Sequence, residues 1–252
     1  MKPTRRDTMI LAASATIASA AGWSPAFAKD GETYDVALLM APAGLPDKVL
    51  GNPDAKVTFI EYASPTCPHC ALFSNEVLPA FLAKYVDTGK VKFILRPFAR
   101  NNVDAAIFLL AEAAAAAADA SATPAEPAAM APDASSSSSA ETAPAMPTYS
   151  LAGVEAYHNV ISTFFKTQDS WGQNQDTYNA LLAVATQLGF SKDSFDAALK
   201  DQAKFAPIQS MRDQALQTFG LEGTPTFYIN GKQLTGEKTM EQLSAEIDPL
   251  LI

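Results

Sequence analysis

Two stretches carry the alternation of a buried strand: Val57-Thr58-Phe59-Ile60-Glu61-Tyr62, rich in β-branched and aromatic residues, and Val91-Lys92-Phe93-Ile94-Leu95. After the first, Ala63-Ser64-Pro65-Thr66 reads as a turn, and apolar residues from Ala71 to Tyr85 then recur at helical spacing, with Pro79 predicting a kink about three turns on. After the second, Asn102 is placed to cap a helix running through Ala105 and Leu109 to about Ala118. Helical spacing resumes at Val154, Tyr157, Ile161, Phe164 and Phe165, which read as core, and Thr167 to Trp171 reads as a turn. Helices are expected near Thr177–Leu188, Ser191–Lys200 and Ala203–Phe219, the last with a break or kink at Pro207. Asn230-Gly231 predicts a tight hairpin turn, and Thr239 with Gln242 a capping box for a final helix.

Composition alters this picture at two places. From about 119 to 148 the chain holds Pro124, Pro127, Pro132, Pro144, Pro147 and five consecutive serines, Ser135 to Ser139, with almost no large apolar residue. Such a segment cannot bury enough surface to offset its ordering entropy, so it is expected to be disordered. Neither side of it makes a covered sheet alone, and roughly 30 flexible residues span about 30 Å, so the expectation is one domain with an insertion. At the other place, residues 1–28 read as an export signal: Lys2, Arg5 and Arg6, an apolar run from Met9 to Ala21, and Ala26-Phe27-Ala28 as a cleavage site. Thr4-Arg5-Arg6-Asp7 favours the twin-arginine route, although Thr8 and Met9 stand where Phe and Leu are usual; the general secretory route is the alternative. Removing this segment takes the formal charge from -9 to -11, and an acidic surface argues against nucleic acid or anionic membrane as partner.

The candidate chemistry lies in Cys67-Pro68-His69-Cys70, which contains both cysteines of the 252-residue chain. A bridge across two residues closes almost no loop, so stability is a poor reason for the pair. Structural zinc wants four ligands, and beyond Cys67, Cys70 and His69 the chain offers only His158, whose neighbours look like ordinary helix. The strand-turn-helix context puts Cys67 at a helix N-terminus with Pro68 in the first turn, where unpaired N–H groups and the helix dipole favour a thiolate. His69 adds a donor or a charge. Cys70, one turn on and with less solvent access, suits a resolving cysteine. Stabilising the reduced form in this way makes the disulfide the stronger oxidant.

The run Phe59 to Ala71 resembles the active-site segment of DsbA-type thiol oxidoreductases, whose oxidising members typically carry Pro-His between the cysteines. Phe219-Gly220-Leu221-Glu222-Gly223-Thr224-Pro225-Thr226-Phe227-Tyr228-Ile229-Asn230-Gly231 resembles the cis-proline loop of that family and the strand after it. The resemblance implies an α/β, thioredoxin-like fold with a helical domain, about 99–219, inserted between the second and third core strands and here interrupted by the 119–148 segment. It implies a cis Thr224-Pro225 bond against the cysteines, with Thr224 and Pro225 holding substrate backbone, and an acidic partner for Cys70 at Glu61. It also implies a periplasmic monomer over 29–252 that needs no cofactor or metal, takes unfolded exported proteins as substrates, and is reoxidised by a membrane quinone-linked partner of DsbB type. A disulfide isomerase or reductase on the same fold, and a redox-linked holdase, are the alternatives. No phosphate-binding glycine loop, nucleotide fingerprint or supported serine-histidine-acid set competes with this reading.

Overall fold

The computed structural model describes residues 30–122 and 149–252. The expected export signal and all but the first residues of the low-complexity segment lie outside the described residues. Five strands, β1 (Val49–Leu50), β2 (Val57–Ala63), β3 (Val91–Pro97), β4 (Thr226–Ile229) and β5 (Lys232–Thr235), form one sheet in the order β1-β3-β2-β4-β5. Only β2 and β3 are parallel, in register from Val57 opposite Val91 to Ala63 opposite Pro97. A parallel pair needs a crossover. The helical run that follows the cysteines supplies it.

Every residue of β2 is buried, because helices cover both faces of the sheet. Strand alternation puts Val57, Phe59, Glu61 and Ala63 on one face. There Phe59 lies 4.6 Å from Phe81, 5.4 Å from Phe227 and 5.9 Å from Phe93, ring centre to ring centre. Ile60 and Tyr62 point the other way, into a smaller cluster with Ile94, Phe98, Phe219, Tyr228 and Leu39 of helix α1 (Val36–Leu39). Beneath that cluster the fully buried Arg96 is held by two bonds to Asp47, of 2.8 and 2.6 Å, and donates to the Tyr62 hydroxyl at 3.0 Å.

The crossover is not one regular helix. It comprises α2 (Pro68–Leu72) and α3 (Leu78–Phe81), with wider π turns over Phe73–Val77 and Leu82–Val86. The kink expected at Pro79 thus takes the form of a widened turn just before it, which accommodates a residue without an N–H.

Between β3 and β4 lie helices α4 (Asn102–Ser121), α5 (Leu151–Lys166), α6 (Gln168–Trp171), α7 (Thr177–Gln187), α8 (Lys192–Leu199) and α9 (Gln202–Gln217). The insert therefore sits where the sequence places it, with four differences of detail. Asn101, not Asn102, caps α4: it has the extended backbone (φ -153°) and its Oδ1 accepts from Val103 N and Asp104 N. Next, α4 continues to Ser121, and Asp119, expected to be disordered, accepts a 2.8 Å bond from Ser150 N that joins the end of α4 to the start of α5. Thr167–Trp171 makes the short helix α6, anchored by Trp171 Nε1 donating to Phe164 O at 2.9 Å. Finally, α9 runs through Pro207 without ending there. The apolar stripe of α5, from Val154 to Phe165, is buried as core.

Asn230 (φ 45°) and Gly231 (φ 93°) form the β4–β5 turn, and α10 (Met240–Ile247) carries the expected capping box. A feature without a sequence signature is a strap over 31–34. Gly31 N donates to Gln233 O, Gln233 N to Glu32 O and Tyr34 N to Gly231 O, covering the outer edge of β5.

Because Arg96 has no solvent and one carboxylate partner, Asp47→Ala is expected to cost about 3–5 kcal/mol in urea unfolding, the price of stranding a buried charge. A change below about 1 kcal/mol would show that the guanidinium finds other compensation.

Candidate active site

Strand β2 ends at Ala63, and the turn over 64–66 delivers Cys67 to the N-cap of α2, with an extended backbone (φ -87°, ψ 119°) and Pro68 in the first helical turn. Its own side chain makes no capping bond, so the sulfur is free to face the helix N-terminus. The Thr224-Pro225 bond is cis, and the Thr224 carbonyl lies 3.2 Å from Cys67 Sγ. Residues separated by 157 positions are thereby brought together. Between the Glu222–Thr226 loop and Thr235-Gly236 runs a groove of about 150 Å³.

The turn itself is held from below. Asp104, in the first turn of α4 and fully buried, accepts from Thr66 N and the Ser64 hydroxyl, each at 2.7 Å, and from Arg100 N at 2.9 Å. Arg100 Nε donates to Ser64 Oγ at 2.8 Å and its Nη2 to Thr66 Oγ1 at 3.0 Å. From α6, Gln168 Nε2 donates to the Pro65 carbonyl at 2.7 Å and the Cys67 carbonyl at 3.1 Å. None of these three residues was singled out from sequence.

The two unbridged cysteines are almost equally shielded, Cys67 2% and Cys70 0% exposed. The difference in access expected from sequence is therefore slight; electrostatics separates the pair. Cys67 falls from 9.0 to about 5, first because the Cys70 thiol donates to its sulfur, and with smaller help from Thr224, the Cys70 N–H and the charge of Arg100, all against the opposing effect of burial. Cys70 is pushed well above its ordinary range, first by burial, then by donating a hydrogen bond to the Cys67 sulfur, then by Glu61. Glu61 lies on the same face of β2, fully buried, with neither carboxylate oxygen hydrogen-bonded. Burial, and then the nearby Cys67 charge, raise it from 4.5 to about 8.

The remaining sequence candidates separate. His69 is 63% exposed, and its Nδ1 pairs with the Glu237 carboxylate from the loop after β5. The sequence expects His69 to give Cys67 a donor or a charge; Arg100 adds a further, smaller Coulombic pull on that sulfur. His158 lies elsewhere, half-buried in α5 against Phe93 and Tyr157, and desolvation lowers it to about 4.

Comparison with known proteins agrees with this geometry. A family model described as Thioredoxin matches residues 45–129 and 129–249. A Rickettsia bellii protein named as a protein-disulfide oxidoreductase is 27% identical over 203 residues, 80% of this chain and 63% of that protein, so the chain spans less than two thirds of such relatives. The crystal structure of Wolbachia pipientis alpha-DsbA1 is 26% identical with a TM-score of 0.63, covering 82% of this chain and 93% of that one. BdbD from Bacillus subtilis, 17% identical with a TM-score of 0.61 over 88% and 99% of the two chains, shares the fold. With the sheet, the helical insert and a cysteine pair facing a cis proline, the chain belongs to the thioredoxin family and has its DsbA-like architecture.

Proposed function

We propose that the protein is a thiol-disulfide oxidoreductase that donates its Cys67–Cys70 disulfide to folding exported proteins. The observation that carries this reading is the placement of the pair: Cys67 at the N-cap of α2, 3.2 Å from the Thr224 carbonyl beside the cis Pro225, and Cys70 fully buried one turn on. A pair so arranged has one good leaving group and one sulfur that holds its proton.

A substrate thiolate attacks Cys67 Sγ of the oxidised pair, the Cys67–Cys70 bond breaks, and Cys70 leaves with the electron pair. Glu61, with a pKa of about 8, still carries a proton near neutrality and serves as the buried proton source for Cys70. A second substrate thiolate attacks the substrate sulfur of the mixed disulfide and expels Cys67 as a thiolate. The substrate loses two electrons and the Cys67/Cys70 pair gains them. The Thr224-Pro225 loop holds the substrate backbone as a short added strand, which gives affinity without demanding a particular sequence. The reduced pair is returned to the disulfide by a membrane quinone-linked partner of DsbB type, and the protein works as a monomer in the periplasm. No helix among the described residues is long and apolar enough to cross a membrane.

Cys67→Ser is expected to abolish oxidation of a reduced, unfolded test protein. Cys70→Ser is expected to accumulate mixed disulfides visible on non-reducing gels. Full turnover by the Cys67 variant would end this account.

The thiolate absorbance of the reduced protein near 240 nm is expected to rise with a midpoint at about pH 5. A midpoint near 8.5, that of an ordinary cysteine, would contradict the proposed leaving group.

Glu61 binds its proton more tightly folded than unfolded, so its cost to stability is absent below about pH 4.5, grows as the pH rises, and is complete above about 8. Glu61→Gln is therefore expected to gain stability over the parent progressively across that window in denaturant titrations, while slowing the steps in which Cys70 exchanges a proton. A stability difference independent of pH would show that Glu61 ionises normally.

A further inference from the structure

Arg96 and Arg100 stand four residues apart and are used differently. Arg96 has no exposure and is matched by a two-bond contact with Asp47, the arrangement of a structural ion. The Arg100 side chain is 38% exposed and has no such partner. Its nearest carboxylate, Asp104, already accepts from the Ser64 hydroxyl and two backbone N–H groups, and approaches Arg100 Nε only to 3.8 Å. What fixes the guanidinium is a pair of neutral hydroxyls, Ser64 Oγ at 2.8 Å and Thr66 Oγ1 at 3.0 Å, which lie three residues and one residue before Cys67. Thr66 Oγ1 is held in turn by Asn101 Nδ2 at 3.0 Å.

The other basic side chain beside the cysteines, His69, is turned to Glu237. Glu61, the acid on the inner side, opposes a thiolate at Cys67. Arg100 is therefore a cation that the fold fixes beside the Cys67 turn through two hydroxyls, with its nearest carboxylate, Asp104, 3.8 Å away.

We propose that Arg100 is a positioning residue for the redox pair: clamped across Ser64 and Thr66, it holds a positive charge beside Cys67 that stabilises this sulfur as leaving group and makes the disulfide more oxidising. The direction agrees with the Coulombic pull of Arg100 on the Cys67 thiol. The inference rests on the exchange reaction proposed above.

The test measures the equilibrium of the full-length protein with glutathione and the Cys67 thiolate midpoint, for the parent, Arg100→Gln and Arg100→Lys. Arg100→Gln is expected to shift the equilibrium about three- to tenfold toward the disulfide, roughly 15–30 mV, and to raise the thiolate midpoint. Arg100→Lys is expected to recover part of both, since it restores charge without the two-pronged clamp. A normal equilibrium in Arg100→Gln beside an active parent would overturn the inference and leave the exchange reaction standing; an inactive parent would remove the reaction itself. Should Arg100→Gln fail to fold, the parent in about 1 M salt decides, because the Debye length there falls to about 3 Å. A rise in its Cys67 midpoint supports the role of a half-exposed cation, and an unchanged midpoint overturns it.

Discussion

Asp104 has no contact with solvent and holds three donors at once: Thr66 N, the Ser64 hydroxyl and Arg100 N. Two of these belong to the turn that leads from β2 into Cys67, and the third to the segment that leads from β3 into α4. One carboxylate thus ties the ends of the two parallel strands to each other and to the helical insert. Without it, three donors beneath the active-site turn would lose their partner, and the N-cap position of Cys67 would have no floor. Gln168 repeats the logic from α6 by holding the Pro65 and Cys67 carbonyls. The insert is in this sense the support of the redox turn.

On that support the chemistry is set by burial acting unequally on neighbouring groups. Cys70 and Glu61 have no access to water, and burial is the first cause of the rise in each. Cys67 is also buried, yet a donated thiol proton, backbone N–H and a fixed cation overcome the desolvation. The same contacts that favour the Cys67 thiolate keep Cys70 protonated, so activating one sulfur and quieting the other are a single arrangement.

Much of this was legible from local pattern. The alternation of β2, the CxxC at its end, the Asn230-Gly231 turn and the Thr239 capping box each depend on a few adjacent residues, and each takes the expected form. Glu61 was legible as a candidate only through the family resemblance, and only the packed sheet decides that its face of β2 is the core. The cap of α4 went to Asn101 because two adjacent asparagines offer the same side chain and only backbone geometry separates them. Asp104, Arg100 and Glu237 were not legible. Asp104 reads as an acid in a helix first turn, and its contact with Thr66 spans 38 positions; Glu237 meets His69 across 168. Pairings of that range exist only once the sheet has formed, and the strap over 31–34 escaped notice because it neither alternates nor carries β-branched runs.

The central claim is that the disulfide, not the dithiol, is the working form, and the equilibrium reduction potential of the Cys67–Cys70 pair in glutathione buffers tests it most directly. Stabilisation of the reduced pair by the Cys67 thiolate predicts a potential near or above about -180 mV, among the strong disulfide donors. A potential at or below roughly -250 mV would contradict it and make the protein a reductant or isomerase.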